Sequence, residues 1–253
     1  MEAFIKNYII VGIFATIVAH QLGANTKNGI GDGDTKMTTM NGIGHIKVNR
    51  FYKLTVIVPV YNQEELVLRA LYSIPNRQDI HIVIINDGSI DNTKKKIDEF
   101  MDDETRNQDI TFHNLIENKG VSNAVNLGLQ HIRYSEYTVL LGSDDYFLPT
   151  IEKVIEQANG EDLVYFNLQI NNGDVWTITN NNKVNYCGSV KLMRSEFIQG
   201  LQNDINRKYG EDYYFFQDIL KRNPTEKFTN IIAKHYNYPR KNSLSWQQRH
   251  NIN

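Results

Sequence analysis

Two aspartates stand side by side at positions 144 and 145, directly after an apolar run, in the string LLGSDDYFLP. Adjacent carboxylates repel, and each favours protonation of the other. A divalent cation or a hydrogen-bond donor relieves that repulsion. Mg²⁺ and Mn²⁺ take oxygen ligands, often one or two carboxylates together with substrate phosphates. The plain alternative is a helix cap, with Asp144 or Asp145 capping residues from Phe147 onward. Two other stretches place polar residues after apolar runs. One is PVYN, residues 59–62, followed by Glu64; a proline at a strand's end marks where pairing stops. The other is NDGSIDNT, residues 86–93. There Gly88 permits a turn and Ser89 or Asp91 can cap the following helix, whereas Asp87 has no local duty of that kind. Read plainly, that segment is a capped strand-to-helix turn.

The elements that must hold these residues follow from hydrophobic period. Residues 54–60 (LTVIVPV) are a short, β-branched apolar run, the mark of a strand buried on both faces. Residues 64–74 have helical spacing, with Leu66, Ala70, Leu71 and Ile74 on one side. Residues 80–85 read as a second buried strand, and 91–101 as a helix with a lysine-rich face. A third strand follows over 111–116, a helix over 122–132 with Val125, Leu129 and Ile132 inward, and a fourth strand over 137–141. Alternating strands and helices with short connections argue for an α/β architecture, a parallel sheet covered on both faces. Ligands of such sheets bind beyond the carboxyl ends of the strands, where the unusual polar residues stand. Beyond Pro149 the regularity fades. Residues 163–170 and 175–178 read as strands joined by an NNGD turn, 189–198 as strand then helix, 213–220 as an aromatic helix, and 179–185 as an exposed loop.

Composition narrows the classes. A chain of 253 residues with 41% hydrophobic and 22% charged residues is globular, which excludes wholesale disorder. Its 27 basic and 29 acidic residues leave a net charge of −2, so charge alone draws it to no nucleic acid. One cysteine, Cys187, excludes an internal disulfide framework or a cysteine-rich zinc site and does not suit an oxidising compartment. Near the start, residues 8–19 (YIIVGIFATIVA) are apolar but shorter than the about 20 residues that span a bilayer. The run reads as a buried or surface-docked amphipathic helix, as a membrane-associated one or, with Gly23-Ala24, as a secretory signal. Residues 25–44 have linker composition and contain Met37 and Met40, either of which could begin the chain. Residues 1–52 are therefore expected to be a leader or linker, flexible or membrane-associated.

The motif order VIVPVYN, IINDGSIDNT, ENKGVSNAVNLGL, LLGSDDYFLP and YGEDYYFFQDILKR resembles the glycosyltransferase family 2 proteins of GT-A fold, over about residues 54–245. The resemblance implies a mainly parallel sheet flanked by helices, with a short mixed acceptor-side region. Residues 53–146 would be a nucleotide-sugar-binding half and 147–253 an acceptor-binding half of one compact domain. It implies inverting transfer of a sugar from a nucleotide-sugar, a UDP-sugar first among donors, to a glycan or lipid-linked acceptor, with Mn²⁺ or Mg²⁺ as cofactor. The setting it implies is cytoplasmic, at the inner face of the membrane, in cell-surface glycan synthesis.

Carried over residue by residue, Pro59, Tyr61 and Asp87 would line the base pocket, Asp144 would meet the ribose and Asp145 the metal. Asn62, Glu64, Lys119 and Arg240 complete the donor side. His235 would be a further metal ligand, or would close over the diphosphate with residues 238–243. Asp212 would be the general base and Glu211 its fallback. Neighbours on a helix point about 100° apart, so only one of these two is expected to face the sugar.

Two positions depart from the family pattern: Gly142 stands where another Asp usually opens the acidic motif, and Val125 where an Arg often precedes Asn126. Lys119 could reach the region that Arg would serve. These departures are the support for a rival reading, a weakened GT-A binding module. A transferase acting on protein or a modified nucleic-acid base is the other alternative. The lone residues read as structural: His81, His113 and His131 on regular elements, Cys187 as a small core or surface residue. The aromatic cluster 213–216 reads as core packing or a sugar platform, and Trp176 and Trp246 as stacking candidates.

Overall fold

In the computed structural model, the described residues are 50–186, 188–207 and 210–240. The apolar run at 8–19, Met37, Met40, Cys187, Trp246 and the segment from 241 lie outside them. Strands β1 (Tyr52–Val60), β2 (Ile80–Asn86), β3 (Asp109–Asn114) and β4 (Ser135–Leu140) pair in parallel in the order β3-β2-β1-β4. β2 is buried along its whole length. That matches its unbroken apolar sequence, because helices cover both faces.

The period of two along β1 divides the core. Leu54, Val56, Val58 and Val60 pack with Val67, Ala70 and Leu71 of α1 (Val67–Tyr72), Ile97 and Phe100 of α2 (Thr93–Met101), and Ile151, Val154 and Ile155 of α4 (Ile151–Gln157). Ile57, with Val83 and Ile85 of β2, packs on the other side with Ala124 of α3 (Val121–Leu129) and Phe215, Phe216 and Ile219 of α6 (Glu211–Leu220). Each such side chain taken wholly out of water contributes about 1.5–3 kcal/mol, so this double burial holds the strand ends rigidly.

Beyond β4 the sheet turns mixed: β8 (Lys191–Arg194) runs antiparallel to both β4 and β6 (Leu163–Ile170). α5 (Ser195–Ile198) follows β8 directly. β9 (Glu226–Tyr236) is parallel to β6, while β5 (Tyr146–Phe147) and β7 (Val175–Trp176) pair antiparallel with β9 and β6. Three elements went unread in the sequence. α4 has clear i, i+3, i+4 apolar positions but only 7 residues. β5 is 2 residues long. β9 hides its alternation because its register against β6 shifts around Asn167 and Asn230 takes a left-handed φ of 55°. It carries two of the side chains that matter most, Lys234 and His235, opposite Phe147 and Tyr146.

Candidate functional site

The carboxyl ends of β1 and β2 are stitched into one rim. The Asn62 N–H donates to Ser89 Oγ (2.9 Å), and Asn62 Oδ1 accepts from the Ile90 N–H (2.9 Å). Glu64 Oε2 accepts from both the backbone N–H (2.9 Å) and Nδ2 (2.8 Å) of Asn92. Asn62 and Glu64, expected on the donor side, use Asn62 Oδ1 and Glu64 Oε2 to brace two loops. Ser89 answers Asn62 rather than capping α2, and Asp91 Oδ1 takes the Thr93 N–H at 3.0 Å.

Asp87 has the local duty that its sequence did not reveal. It is 3% exposed. Its Oδ1 accepts the Lys119 N–H and its Oδ2 the Gly120 N–H, each at 2.8 Å. The carboxylate thus ties the end of β2 to the start of α3. Gly88 makes the tie fit: at φ 67°, a Cβ there would stand 2.3 Å from the Glu117 carbonyl carbon. The Lys119 ammonium points to Glu117 at 3.6 Å, a solvated pair worth little. Tyr61 is 43% exposed on the same rim.

The acidic pair divides in two. Asp145 is buried; its Oδ2 lies 2.7 Å from Lys234 Nζ, and its Oδ1 accepts the Asn237 N–H at 2.9 Å. Asp144 sits nearer the surface, with Oδ2 2.8 Å from Arg240 Nη2. Its backbone carbonyl accepts from Arg69 Nη2 at 2.8 Å. Burial, then the Asp145 charge, pushes the Asp144 carboxyl up from its ordinary value, the mutual effect expected of neighbouring acids. Neither residue caps a helix; β5 follows. His235 stacks on Tyr146 with centroids 4.6 Å apart, and the Arg69 guanidinium lies 4.7 Å from the Tyr146 centroid. Burial, then Arg69, lowers the His235 pKa.

Beside this rim is a cavity of about 150 Å³, lined among others by Pro59, Gly142, Lys191, Glu211 and Asp212. Both acids of the Glu211-Asp212 pair line it. α6 presents its first turn to the cavity, so the first two side chains both reach it. Burial, then Asp212, raises the Glu211 pKa. Lys191, which the sequence did not single out, is 3% exposed; its Nζ donates to the Gly188 carbonyl (2.9 Å) and lies 4.3 Å from the Phe216 centroid. Asn126 clasps the loop before α6, donating to the Asn203 carbonyl (2.9 Å) and accepting the Asn203 N–H (2.7 Å). Val125, where an arginine was the pattern, lines the cavity as an apolar wall.

The fit of these residues to a divalent metal can be tested on their neighbours. Asp145 has both oxygens engaged within the protein, one by an ammonium. His235 offers an Nδ1 that is buried without a hydrogen-bond partner. However, the Arg69 charge that helps keep a proton off its ring would oppose a metal cation there too. Among the described residues no three His, Cys, Asp or Glu side chains gather as a metal ligand set. The expected pairing of Asp145 with His235 around Mn²⁺ or Mg²⁺ does not fit these surroundings. Asp144 is the more exposed of the two acids, at 22% against 5% side-chain exposure. Lys234 and Arg69, the cations beside the acids, gave no sequence signal of their own.

The family model described as "Glycosyl transferase family 2" matches residues 55–229, spanning the rim, the acidic pair and the Glu211-Asp212 turn. The chain belongs to glycosyl transferase family 2. It is 37% identical over 112 residues to a teichoic acid poly(glycerol phosphate) polymerase of Staphylococcus epidermidis, covering 44% of the chain and 15% of that protein. It is 28% identical over 185 residues to an uncharacterized glycosyltransferase of Haemophilus influenzae, covering 66% and 72%. Among solved structures, S. aureus TarS 1-349 in complex with UDP-GlcNAc superposes with TM-score 0.63 at 19% identity, over 76% of this chain and 60% of that one. A mannosyltransferase of Pyrobaculum calidifontis in complex with GDP-Man and Mn²⁺ gives 0.59 at 16%, over 80% and 61%. These likenesses establish the GT-A fold for this chain. Among its described residues, no helix is long and apolar enough to cross a membrane.

Proposed function

We propose that this glycosyltransferase moves a sugar, with inversion, from a nucleoside diphosphate sugar to a hydroxyl of a cell-surface glycan or lipid-linked acceptor. The observation that carries the reading is the cavity that joins the β1 and β4 ends, at Pro59 and Gly142, to the two carboxylates of Glu211 and Asp212. Residues 53–146 would serve as the donor half and the described residues from 147 onward as the acceptor half. Tyr61 and Pro59 flank the base, Asp87 holds the loop that walls it, and Asp144 meets the ribose. UDP-sugars are the first candidates, supported by TarS binding UDP-GlcNAc. The work takes place at the cytoplasmic face of the membrane.

In the reaction the acceptor oxygen attacks the anomeric carbon as the bond to the diphosphate oxygen breaks. The acceptor proton passes to Asp212 or Glu211, and the electron pair leaves on the nucleoside diphosphate. A positioned carboxylate base contributes about 10²–10⁴ in rate. Arg240, paired with Asp144, and Arg69, bonded to the Asp144 carbonyl, would stabilise charge growing on the leaving phosphates.

A thermal-shift panel of UDP, GDP, CDP, dTDP and ADP, each run with and without Mn²⁺, tests the donor reading. One of them should raise the stability by RT ln(1 + [L]/Kd), about 2.7 kcal/mol at a hundredfold excess over Kd, and the melting temperature with it. No shift with any of the five would refute it.

A further inference from the structure

We propose that this site holds the diphosphate of its donor without a divalent metal, its own cations doing the charge neutralisation; the inference rests on the donor reading above. Three observations converge on it. First, Lys234 is built into the acidic pair. Its Nζ lies 2.7 Å from Asp145 Oδ2 at 3% side-chain exposure and donates to Ser189 Oγ. The Tyr236 ring centroid is 5.6 Å away. An ammonium so deeply placed stays with its partner, because stranding either charge in the interior is costly.

Second, Gly142 removes the third acid. A Cβ at this position would stand 3.0 Å from Asp145 Oδ2 and 3.2 Å from Asp144 Oδ1. An aspartate there would crowd a third carboxylate onto the two, a cluster that calls for a multivalent counter-ion. With glycine only two remain.

Third, each of those two already has a cationic partner, and a third cation lies beside their backbone. Lys234 pairs with Asp145, Arg240 with Asp144, and Arg69 donates to the Asp144 backbone carbonyl. A metal would have to displace Lys234 or Arg240 and then sit among the remaining positive charges. The diphosphate of a donor brings negative charge to the same mouth. Arg69 is exposed and the Arg240 side chain is 30% exposed, so both guanidinium groups can turn to phosphate oxygens, which their planar forks suit. Lys234 is a positioning residue in this scheme. By holding Asp145 neutralised, it keeps the metal out.

Calorimetric titration with UDP, or with whichever diphosphate of the panel binds, is run on the full chain in EDTA and again with Mn²⁺. Affinities within about threefold of each other bear the proposal out. Binding seen only with Mn²⁺, or weakened more than tenfold by EDTA, overturns it and leaves the donor site standing. Binding in neither condition removes the donor reading and the inference together. Electron paramagnetic resonance of Mn²⁺ added without nucleotide adds a second arm. The wild type should leave the Mn²⁺ free, and Lys234→Met should gain Mn²⁺ binding that Asp145→Asn/Lys234→Met lacks. Mn²⁺ bound at micromolar affinity by the wild type overturns the proposal, whether or not the variants fold.

Discussion

The Lys234 ammonium lies 2.7 Å from Asp145 Oδ2, with the two side chains at 3% and 5% exposure. The two residues are far apart in the chain and meet because β9 pairs with β5, the strand that follows the acidic pair directly. A carboxylate that reads in the sequence as an exposed ligand is thereby an internal ion-pair partner.

Asp145→Ala is therefore expected to cost about 3–5 kcal/mol of stability, the usual loss when one member of a buried pair is removed. Asp145→Asn/Lys234→Met should recover most of it. Chemical denaturation of the three proteins measures this. An Asp145→Ala protein as stable as wild type would mean that Asp145 is solvated after all.

Glu211 gives a prediction in pH. Burial raises its folded pKa above the ordinary glutamate value, with Asp212 adding to the rise. The fold thus favours the protonated form. The stability tied to that proton is fully present below the unfolded pKa and is lost as pH rises through the folded one. Glu211→Gln has no such proton to lose. Its melting temperature relative to wild type should climb as pH rises from 4 to about 8. A flat difference across that range would contradict the burial of Glu211. If Glu211 is the base, the acid limb of kcat/KM lies above the ordinary glutamate range.

Gly88→Ala tests the rim. The new Cβ would meet the Glu117 and Asn118 backbone at 2.3–2.4 Å, in a left-handed conformation. A cost of at least about 2 kcal/mol is expected. UDP affinity should fall with it, because the displaced 117–120 loop loses its bonds to Asp87. Unchanged melting and unchanged binding would show that this loop has no part in the site.

The parallel half of the fold was legible because β1, β2 and β4 are buried apolar runs with turn residues at their ends, and α2 and α3 carry clear helical spacing. The acidic motif and the Glu211-Asp212 turn were legible as candidate chemistry for the same reason: charges at element ends stand out. What each charge touches was not. Asp87, Asn62 and Glu64 look like ligand contacts in the string, yet they hold backbone N–H groups of loops about thirty residues away. Lys234 and Arg69 lie inside elements with no motif around them, and their role comes from strand pairing and helix placement. β9 escaped because its bulged register against β6 breaks the period of two.

The central claim is that Glu211 and Asp212 act on a sugar whose nucleotide is held at the rim. The most direct measurement is release of nucleoside diphosphate from the matching nucleotide-sugar, with water or a supplied glycan as acceptor. It compares wild type with Asp212→Asn and Glu211→Gln, with nucleotide affinity measured in parallel. One of the two variants should lose at least about a hundredfold in kcat, the low end for a lost base, while its affinity for the nucleotide stays within a few-fold. Full turnover by both variants would place the base elsewhere and contradict the account.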